Sequence, residues 1–297
     1  MSADHVEILK RLPTRRFWRS PRSEFVRLLR SRRDLKRLAA ADVAFVSYAK
    51  AGRTWTRVMI SRLYQSRYDL PRDTIVDDDN FHRLNPAIPV FLFTMGNYIA
   101  DIYPIDQRPS PYRDKKVIFL ARHPADTAVS FYFHLYNRVN RQKLDVKRLP
   151  AAAEKPEIFT HLSTSPVGLG HVIDYMNRWQ AALQDHPDHL VVRYEDLRAE
   201  PAKELARIGA FLGGGFTPAL MAEAVEFADF RNLQNKERDR FFASDKLQAR
   251  DNDNPDSYKV RRGKVGGYRD YLTADQAAWV EREIATGLRP EFGYGAT

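Results

Sequence analysis

The sequence has 297 residues, 43% of them hydrophobic, which is enough to build one domain around a full core. It contains no cysteine, so disulfides, zinc–thiolate sites and redox chemistry at sulfur are excluded. Neither a signal peptide nor an apolar run of about 18 residues is visible, and we therefore expect a soluble, cytoplasmic protein.

Much of the positive charge lies at the N-terminus. The formal net charge is +10, and residues 1–41 hold twelve lysines and arginines against four acidic residues. Residues 22–39 place Phe25, Val26 and several leucines at near-helical spacing, which predicts an amphipathic basic helix. We predict that residues 1–40 form a helical arm that either packs on the domain or lies peripherally on a membrane, a merely solvated helix being the alternative.

Three short apolar runs, at 43–48, 117–120 and 190–194, are each followed by a helical pattern. Alternating strands and helices predict a three-layer α/β fold with a mainly parallel central sheet and helices on both faces. We expect residues 41–297 to form a single domain that binds its ligands at the carboxyl ends of the strands. The charged stretch at about 234–265 lacks a sustained period, which predicts a long loop or lid.

The loop after the first strand is suited to binding an anion. It reads Tyr48-Ala49-Lys50-Ala51-Gly52-Arg53-Thr54-Trp55 and leads into a helix. Free backbone N–H groups at the helix start, with a lysine and a threonine hydroxyl, make a P-loop-like cradle for phosphate or sulfate. Because the lysine precedes the glycine, the loop does not fit the Walker pattern, which disfavours an ordinary nucleoside-triphosphate site.

A second anion-binding segment follows the second predicted strand. It reads Arg122-His123-Pro124-Ala125-Asp126-Thr127-Ala128-Val129-Ser130. A guanidinium can hold a phosphate through two parallel hydrogen bonds, and a hydroxyl on the following helix adds another. The alternative is that Arg122 and Ser130 are simply exposed on a helix.

Together the two segments resemble the cytosolic sulfotransferase family, which uses 3′-phosphoadenosine 5′-phosphosulfate (PAPS). The first matches five of eight positions of the family loop Tyr-Pro-Lys-Ser-Gly-Thr-Thr-Trp, and the second follows the family segment Arg-Asn-Pro-x-Asp-x-x-x-Ser. The resemblance implies transfer of a sulfuryl group from PAPS to a hydroxyl or amine of a small, apolar or lipid-like acceptor, releasing adenosine 3′,5′-bisphosphate (PAP). A PAPS- or PAP-binding protein without transfer activity is the alternative.

The resemblance also implies roles for individual residues. Lys50 would stabilise negative charge on the leaving oxygen, Arg122 and Ser130 would hold the 3′-phosphate, and Trp55 and Phe230 would stack the adenine. The late segment Arg261-Arg262-Gly263-Lys264-Val265-Gly266-Gly267-Tyr268 resembles the one that closes over that phosphate. The expected nucleotide site comprises Lys50, Ala51, Gly52, Arg53, Thr54, Trp55, Arg122, Ser130, Tyr194, Phe230, Arg261, Arg262 and Gly263. Plain core aromatics and solvated arginines are the alternatives for the later members.

The family's general base is missing from its usual position. Relatives carry a histidine after a threonine about 22–24 residues before the phosphate-site arginine, whereas Met95 follows Thr94 here. Three explanations stay open: another residue serves, the acceptor deprotonates easily, or the protein binds PAPS without turnover. His82 is the predicted substitute, a surface histidine being the alternative. The preceding run Asp77–Asp79 is an exposed acidic turn or a divalent-ion site, and the chemistry requires no metal.

The stretch from 81 to 103 is predicted to line the acceptor site. It is rich in aromatic residues, which suit an apolar ligand, namely Phe81, Phe91, Phe93, Tyr98 and Tyr103. A basic module associated with membranes or nucleic acid is a rival interpretation of the charge, but we predict no nucleic-acid partner. The family's dimer-forming segment retains only Thr273, which leaves the oligomeric state open.

Overall fold

The computed structural model describes residues 21–139, 141–149, 155–243 and 263–294. The strands of this part are β1 Val43–Ser47, β2 Phe91–Thr94, β3 Lys116–Ala121 and β4 His189–Arg193. The α-helices are α1 Pro21–Ala40, α2 Arg53–Tyr68, α3 Asn80–Leu84, α4 Asn97–Ala100, α5 Pro124–Arg138, α6 Arg141–Lys147, α7 Ile158–Thr164, α8 Leu169–Gln184, α9 Tyr194–Ala199, α10 Pro201–Phe211, α11 Pro218–Phe227, α12 Phe230–Arg238 and α13 Ala274–Gly287. The 3₁₀ helices are Gly267–Tyr271 and Pro290–Phe292.

The described strands form one parallel sheet in the order β2-β1-β3-β4. Every residue of β1 is buried, as expected for a parallel strand covered by helices on both faces. The predicted α/β fold with a mainly parallel sheet is therefore confirmed. The edge strand β2 was not predicted, because its aromatic residues were interpreted only as acceptor lining. It pairs with β1 from Val43 opposite Phe91 to Val46 opposite Thr94.

Side chains of β1 alternate between two hydrophobic cores. Val43 and Phe45 belong to the core formed with α2, α10 and α11. Ala44 and Val46 belong to the core on the other face, formed with α5, α8 and α13. Successive side chains of a strand point to opposite faces, so the short strand β1 contributes side chains to the cores on both sides of the sheet. The loops at the carboxyl ends of the strands lie between these layers.

The helix α1 packs on the domain through polar groups. Arg27 donates a hydrogen bond of 2.8 Å to Asp101, and the Ser31 hydroxyl donates to the other oxygen of the same carboxylate at 3.1 Å. The opposite face is open, since Phe25 is 62% exposed and Leu29 is 47% exposed. The amphipathic helix of the sequence is present over 21–40, but its most apolar side chains do not all face the domain. None of the described helices is long and apolar enough to cross a membrane.

The predicted loop at 234–265 is helical at its start. The helix α12 runs from Phe230 to Arg238, and its N-cap Asp229 accepts a hydrogen bond from the Arg231 N–H at 2.9 Å. Residues 244–262, which make up most of the predicted lid, lie outside the described residues, as do Arg261 and Arg262. The loop prediction is thus wrong for 234–238, agrees with the absence of helix and strand at 239–243 and 263–265, and stays a prediction for 244–262.

Candidate active site

The loop after β1 is held in a tight, partly left-handed conformation. Lys50 has φ 74° and Gly52 has φ 108°. A Cβ atom on Gly52 would lie 2.5 Å from the ring of Tyr194, so a larger residue cannot occupy this position without moving that ring. The glycine therefore lets the backbone turn closely against α9 and start α2 at Arg53. This explains why the motif needs glycine two residues before its threonine.

The N-terminus of α2 points its free N–H groups out of the loop. The first helical hydrogen bond runs from the Thr56 N–H to the Gly52 carbonyl at 3.2 Å. The N–H groups of Arg53, Thr54 and Trp55 precede that bond and have no partner within the helix. Gly52 supplies no side-chain cap, so these groups and the positive end of the helix dipole are available to an anion.

A cavity of about 650 Å³ opens in front of this loop. We divide its lining residues into two sets, each named by a central residue, and Lys50, Gly52 and Thr54 of the loop also line it. To the Tyr194 end we assign the residues of the motifs that follow β3 and β4 and of the late segment, with their neighbours, namely Trp55, Arg122, Asp126, Ser130, Tyr194, Arg198, Phe230, Gly263 and Lys264. To the Met95 end we assign Arg30, Arg53, Arg57, Ile75, Phe93, Met95, Val129, His134, Lys147 and Tyr271.

Arg122 joins three segments at the Tyr194 end. Its Nη1 donates to the Lys50 carbonyl at 2.9 Å, and its Nη2 lies 3.4 Å from the Lys264 carbonyl. The guanidinium carbon sits 4.5 Å from the centre of the Tyr194 ring, a cation–π contact. The Arg122 Nε is buried and has no hydrogen-bond partner among the described residues. A phosphate here would satisfy that donor, so the residues present fit an anionic nucleotide.

Asp126 fastens the late segment to the start of α5. One carboxylate oxygen accepts from the Gly266 N–H at 2.7 Å, and the other accepts from the Tyr268 N–H at 2.9 Å. The Tyr268 ring stacks on His123 with centroids 5.1 Å apart. Desolvation lowers the pKa of His123 to about 4, so this ring is neutral at pH 7 and the stacked pair carries no charge.

Aromatic residues form a slot beside Arg122. The Trp55 indole N–H donates to the Ala228 carbonyl at 2.8 Å, and its ring meets the edge of Tyr194 at 5.8 Å. The Tyr194 hydroxyl donates to the Gly263 carbonyl at 3.3 Å. A Cβ on Gly263 would lie 2.9 Å from the Phe230 ring. This packing keeps flat aromatic surfaces at the cavity wall, which suits a stacked base.

Most of the predicted nucleotide-site residues come together in this cavity. The lining includes Lys50, Gly52, Arg53, Thr54, Trp55, Arg122, Ser130, Tyr194, Phe230 and Gly263. Ala51 is buried behind the loop at 1% exposure. Arg261 and Arg262 lie outside the described residues, so their predicted contact with phosphate stays a prediction.

His82 is not among the described residues that line the cavity. It lies on the short helix α3, where its Nδ1 is 2.7 Å from the Ile88 carbonyl. His134 lines the Met95 end instead, one helical turn after Ser130 on α5. Residues four apart share a helix face, so the sequence places His134 on the same side of α5 as Ser130. The sequence-based prediction of a base considered only histidines upstream of Arg122 and did not include His134.

Most of the aromatic residues that were predicted to line the acceptor site are not among the described residues that line the cavity. Of the five named in the sequence, Phe93 lines the cavity, whereas Phe81 and Phe91 are completely buried in the core. The Met95 carbonyl accepts from the Tyr175 hydroxyl at 3.0 Å, which fixes the backbone at the position where relatives carry histidine. Ile75, Val129 and Tyr271 complete the apolar lining.

Two arginines of α2 supply positive charge at the Met95 end. Arg57 forms an ion pair of 3.0 Å with Asp77, and its guanidinium lies 4.6 Å from the centre of the Phe93 ring. The Arg53 Nη1 is buried without a hydrogen-bond partner among the described residues. Desolvation lowers the pKa of Arg53 to about 10, with a smaller effect in the same direction from Arg57, so the group still carries its charge at pH 7.

The acidic run before α3 is engaged in ion pairs. Asp77 pairs with Arg57 on α2, Asp78 pairs with Arg37 on α1, and Asp79 pairs with Arg83 across one turn. No group of acidic or histidine side chains among the described residues is arranged to hold a metal ion.

The family model for the sulfotransferase domain matches residues 40–288 of this chain. Cytosolic sulfotransferase 17 of Arabidopsis thaliana is 27% identical over 313 residues, covering 93% of this chain and 86% of the relative. The flavonol 3-sulfotransferase of Flaveria bidentis is 23% identical and covers 83% of each chain. The chain therefore belongs to the sulfotransferase family.

Solved structures agree on the fold. Mouse sulfotransferase SULT7A1 complexed with PAP superposes with a TM-score of 0.59 at 22% identity, over 86% of this chain and 90% of that one. Retinol dehydratase complexed with retinol and PAP gives 0.52 at 20% identity, over 84% and 82%. The solved structures support the fold, and the family match makes the protein a PAPS-dependent sulfotransferase. When bound, PAPS supplies the activated sulfuryl group.

Proposed function

We propose that the Tyr194 end binds the nucleotide and that the Met95 end binds a small-molecule acceptor with a hydroxyl or amine. The observation that carries the first half is Arg122, which ties the anion-binding loop to the late segment and keeps a buried Nε donor unpaired. In this assignment Arg122 and Ser130 hold the 3′-phosphate, the N–H groups of α2 hold the 5′-phosphosulfate, and Trp55 and Phe230 stack the adenine.

Lys50 is proposed to stabilise the charge that develops during transfer. Its left-handed backbone conformation sets it in the loop directly before the N-terminus of α2. A lysine ammonium here would add to the helix dipole where negative charge builds up on the leaving oxygen.

His134 is proposed as the general base in preference to His82. It is the one histidine among the described residues that line the cavity, and it lies at the Met95 end, where the acceptor is proposed to bind. A base must come within hydrogen-bond reach of the acceptor proton, directly or through one water, and this requirement is what separates the two histidines. The His134 imidazole would accept the proton as the acceptor oxygen or nitrogen attacks sulfur.

The acceptor is proposed to have an apolar body. Ile75, Phe93 and Met95 supply the apolar walls that such a body would contact. Related proteins include a flavonol 3-sulfotransferase and a retinol dehydratase crystallised with retinol, both names that refer to small apolar compounds. We also propose a cytoplasmic location, since several relatives are named cytosolic sulfotransferases.

The nucleotide assignment is tested by calorimetry with PAP and with adenosine 5′-phosphate. We expect PAP to bind more tightly by about 10- to 100-fold, because the 3′-phosphate gains charge-assisted hydrogen bonds. Arg122→Ala or Ser130→Ala should weaken PAP binding and leave the affinity for adenosine 5′-phosphate nearly unchanged. Equal affinity of the two nucleotides for the wild-type protein would refute the assignment. Mass-detected sulfate transfer to an acceptor panel tests the reaction itself.

We further propose that the arm at residues 1–40 contacts anionic membranes. Phe25 and Leu29 are exposed on the face of α1 that turns away from the domain, together with Arg22, Arg32 and Arg33. This combination suits an interfacial helix. The double variant Phe25→Ser and Leu29→Ser should sediment less with vesicles containing phosphatidylserine, while Leu84→Ser, an exposed leucine on α3, serves as the control. Unchanged sedimentation of the double variant would remove the proposal.

A further inference from the structure

Among the described residues that line the cavity, positively charged side chains outnumber carboxylates. At the Met95 end stand three arginines, Arg30, Arg53 and Arg57. Asp126 is the one carboxylate among the described lining residues, and both its oxygens are taken by the N–H groups of the late segment. The Met95 end is therefore strongly cationic, although its walls are otherwise apolar.

The three arginines differ in the hydrogen-bond or ion-pair partners of their guanidinium groups. Arg57 is paired with Asp77 at 3.0 Å, and Arg30 donates to the Tyr98 hydroxyl at 3.0 Å. The Arg53 Nη1 has no hydrogen-bond partner within the described residues, although it is buried. A buried guanidinium donor without a partner is unfavourable unless a bound anion supplies one. Arg53 also stands where the family loop carries threonine, so this charge is a feature of this chain.

The side chain of Arg53 faces away from the aromatic slot. Residues four apart share a face of a helix, so Arg53 lies on the same side of α2 as Arg57, whose guanidinium reaches Phe93 on β2. Trp55 faces another side, where its indole bonds Ala228 and meets Tyr194. The unpaired guanidinium is thus directed to the acceptor and not to the adenosine.

We propose that the acceptor carries, besides its hydroxyl or amine, an oxyanion such as a carboxylate that binds Arg53, with Arg57 beside it. This inference rests on the proposed function, because it assigns the Met95 end to the acceptor. The ligand class is an amphipathic acid, whose apolar body contacts Phe93 and Met95 while its anion accepts hydrogen bonds from the Arg53 guanidinium. Planar, two-point recognition of carboxylate is what a guanidinium offers and an ammonium does not.

The test compares acids with their neutral esters. The probes are 4-hydroxybenzoate, 4-hydroxyphenylacetate and 3-(4-hydroxyphenyl)propionate, each with its methyl ester, titrated into PAP-saturated protein and separately assayed for sulfate transfer. At least one acid should bind about 10- to 100-fold more tightly than its ester, the range of a charge-assisted hydrogen bond. Arg53→Gln should abolish that preference by weakening binding of the acid alone, and Arg53→Lys should restore it only in part.

The controls separate this subsite from the nucleotide site and from the reaction. Arg83→Gln, on an exposed arginine paired with Asp79, should keep the preference for acids. Because Arg53→Gln keeps the backbone N–H that is proposed to hold the 5′-phosphosulfate, PAP affinity should fall far less than affinity for the acid, and an equal loss of both would assign the guanidinium to the nucleotide and overturn the proposal. Wild-type protein that transfers sulfate to phenols without preferring any acid also overturns it, while the proposed function stands. Selective binding of an acid without any transfer supports the subsite and contradicts the proposed reaction.

Discussion

The two ends of the cavity are built on different principles. At the Tyr194 end, functional groups are fixed by protein contacts: Arg122 is bonded to two backbone carbonyls, and Asp126 holds two N–H groups of the late segment. At the Met95 end, Arg53 keeps a buried donor without a partner in the described residues. Both ends keep a buried donor that a ligand could pair, the Arg122 Nε at the first and the Arg53 Nη1 at the second, but Arg122 is also held in place by hydrogen bonds to two backbone carbonyls.

The two ends also differ in how closely their residues follow the family motifs. The residues that match the family motifs lie at the loop and at the Tyr194 end, where the nucleotide is proposed to bind. Two departures from the family pattern, Met95 in place of histidine and Arg53 in place of threonine, are among the residues assigned to the Met95 end. We therefore expect specificity in this chain to depend on a few substitutions beside a loop that keeps its lysine, glycine and threonine.

The largest effect is expected from Lys50, which lies between the two ends. Lys50→Ala should lower kcat by about 100- to 1000-fold, because it removes a positive charge aimed at the leaving oxygen. PAP affinity should fall much less, since the N–H groups of α2 and Arg122 still hold the phosphates. Steady-state kinetics with calorimetry measure both. Lys203→Ala, an exposed lysine on α10, is the matched control, and a Lys50→Ala enzyme with near-normal turnover would move this role to another group.

A smaller effect, about 100-fold on kcat, is expected from the general base at the Met95 end. His134→Ala should show this loss with alcohol acceptors, while His82→Ala should change turnover little, because its Nδ1 is bonded to Ile88 outside the cavity. Both variants should bind PAP normally. The reverse result, with His82→Ala inactive and His134→Ala active, would restore the prediction made from the sequence alone. If neither variant matters and acidic phenols react fastest, the acceptor needs no base.

The sequence predicted the parallel sheet and the nucleotide motifs because both depend on local pattern. β1 and β3 are continuous apolar runs, and the helix starts at Arg53 and Pro124 follow directly from the loops that precede them. The Met95 end could not be predicted in the same way, because it is assembled from separate parts of the chain. Arg30 comes from α1, Phe93 from β2 and His134 from the third turn of α5, and no local pattern records their proximity.

The smallest change in kcat is expected from Met95→His. This variant nevertheless tests most directly how the Met95 end differs from the Tyr194 end. This change restores the family residue at the end of β2, where the Tyr175 hydroxyl already fixes the backbone by its bond to the residue 95 carbonyl. In the wild-type background we expect a gain in kcat of at most about 10-fold toward alcohols, since a second base adds little where one already serves. In the His134→Ala background the same change should recover a large part of the lost turnover, without altering PAP affinity. Kinetics of the two single variants and the double variant measure this coupling. If Met95→His fails to rescue His134→Ala yet raises activity in the wild type, the two imidazoles do not serve the same acceptor proton, and the base role proposed for His134 falls with that result.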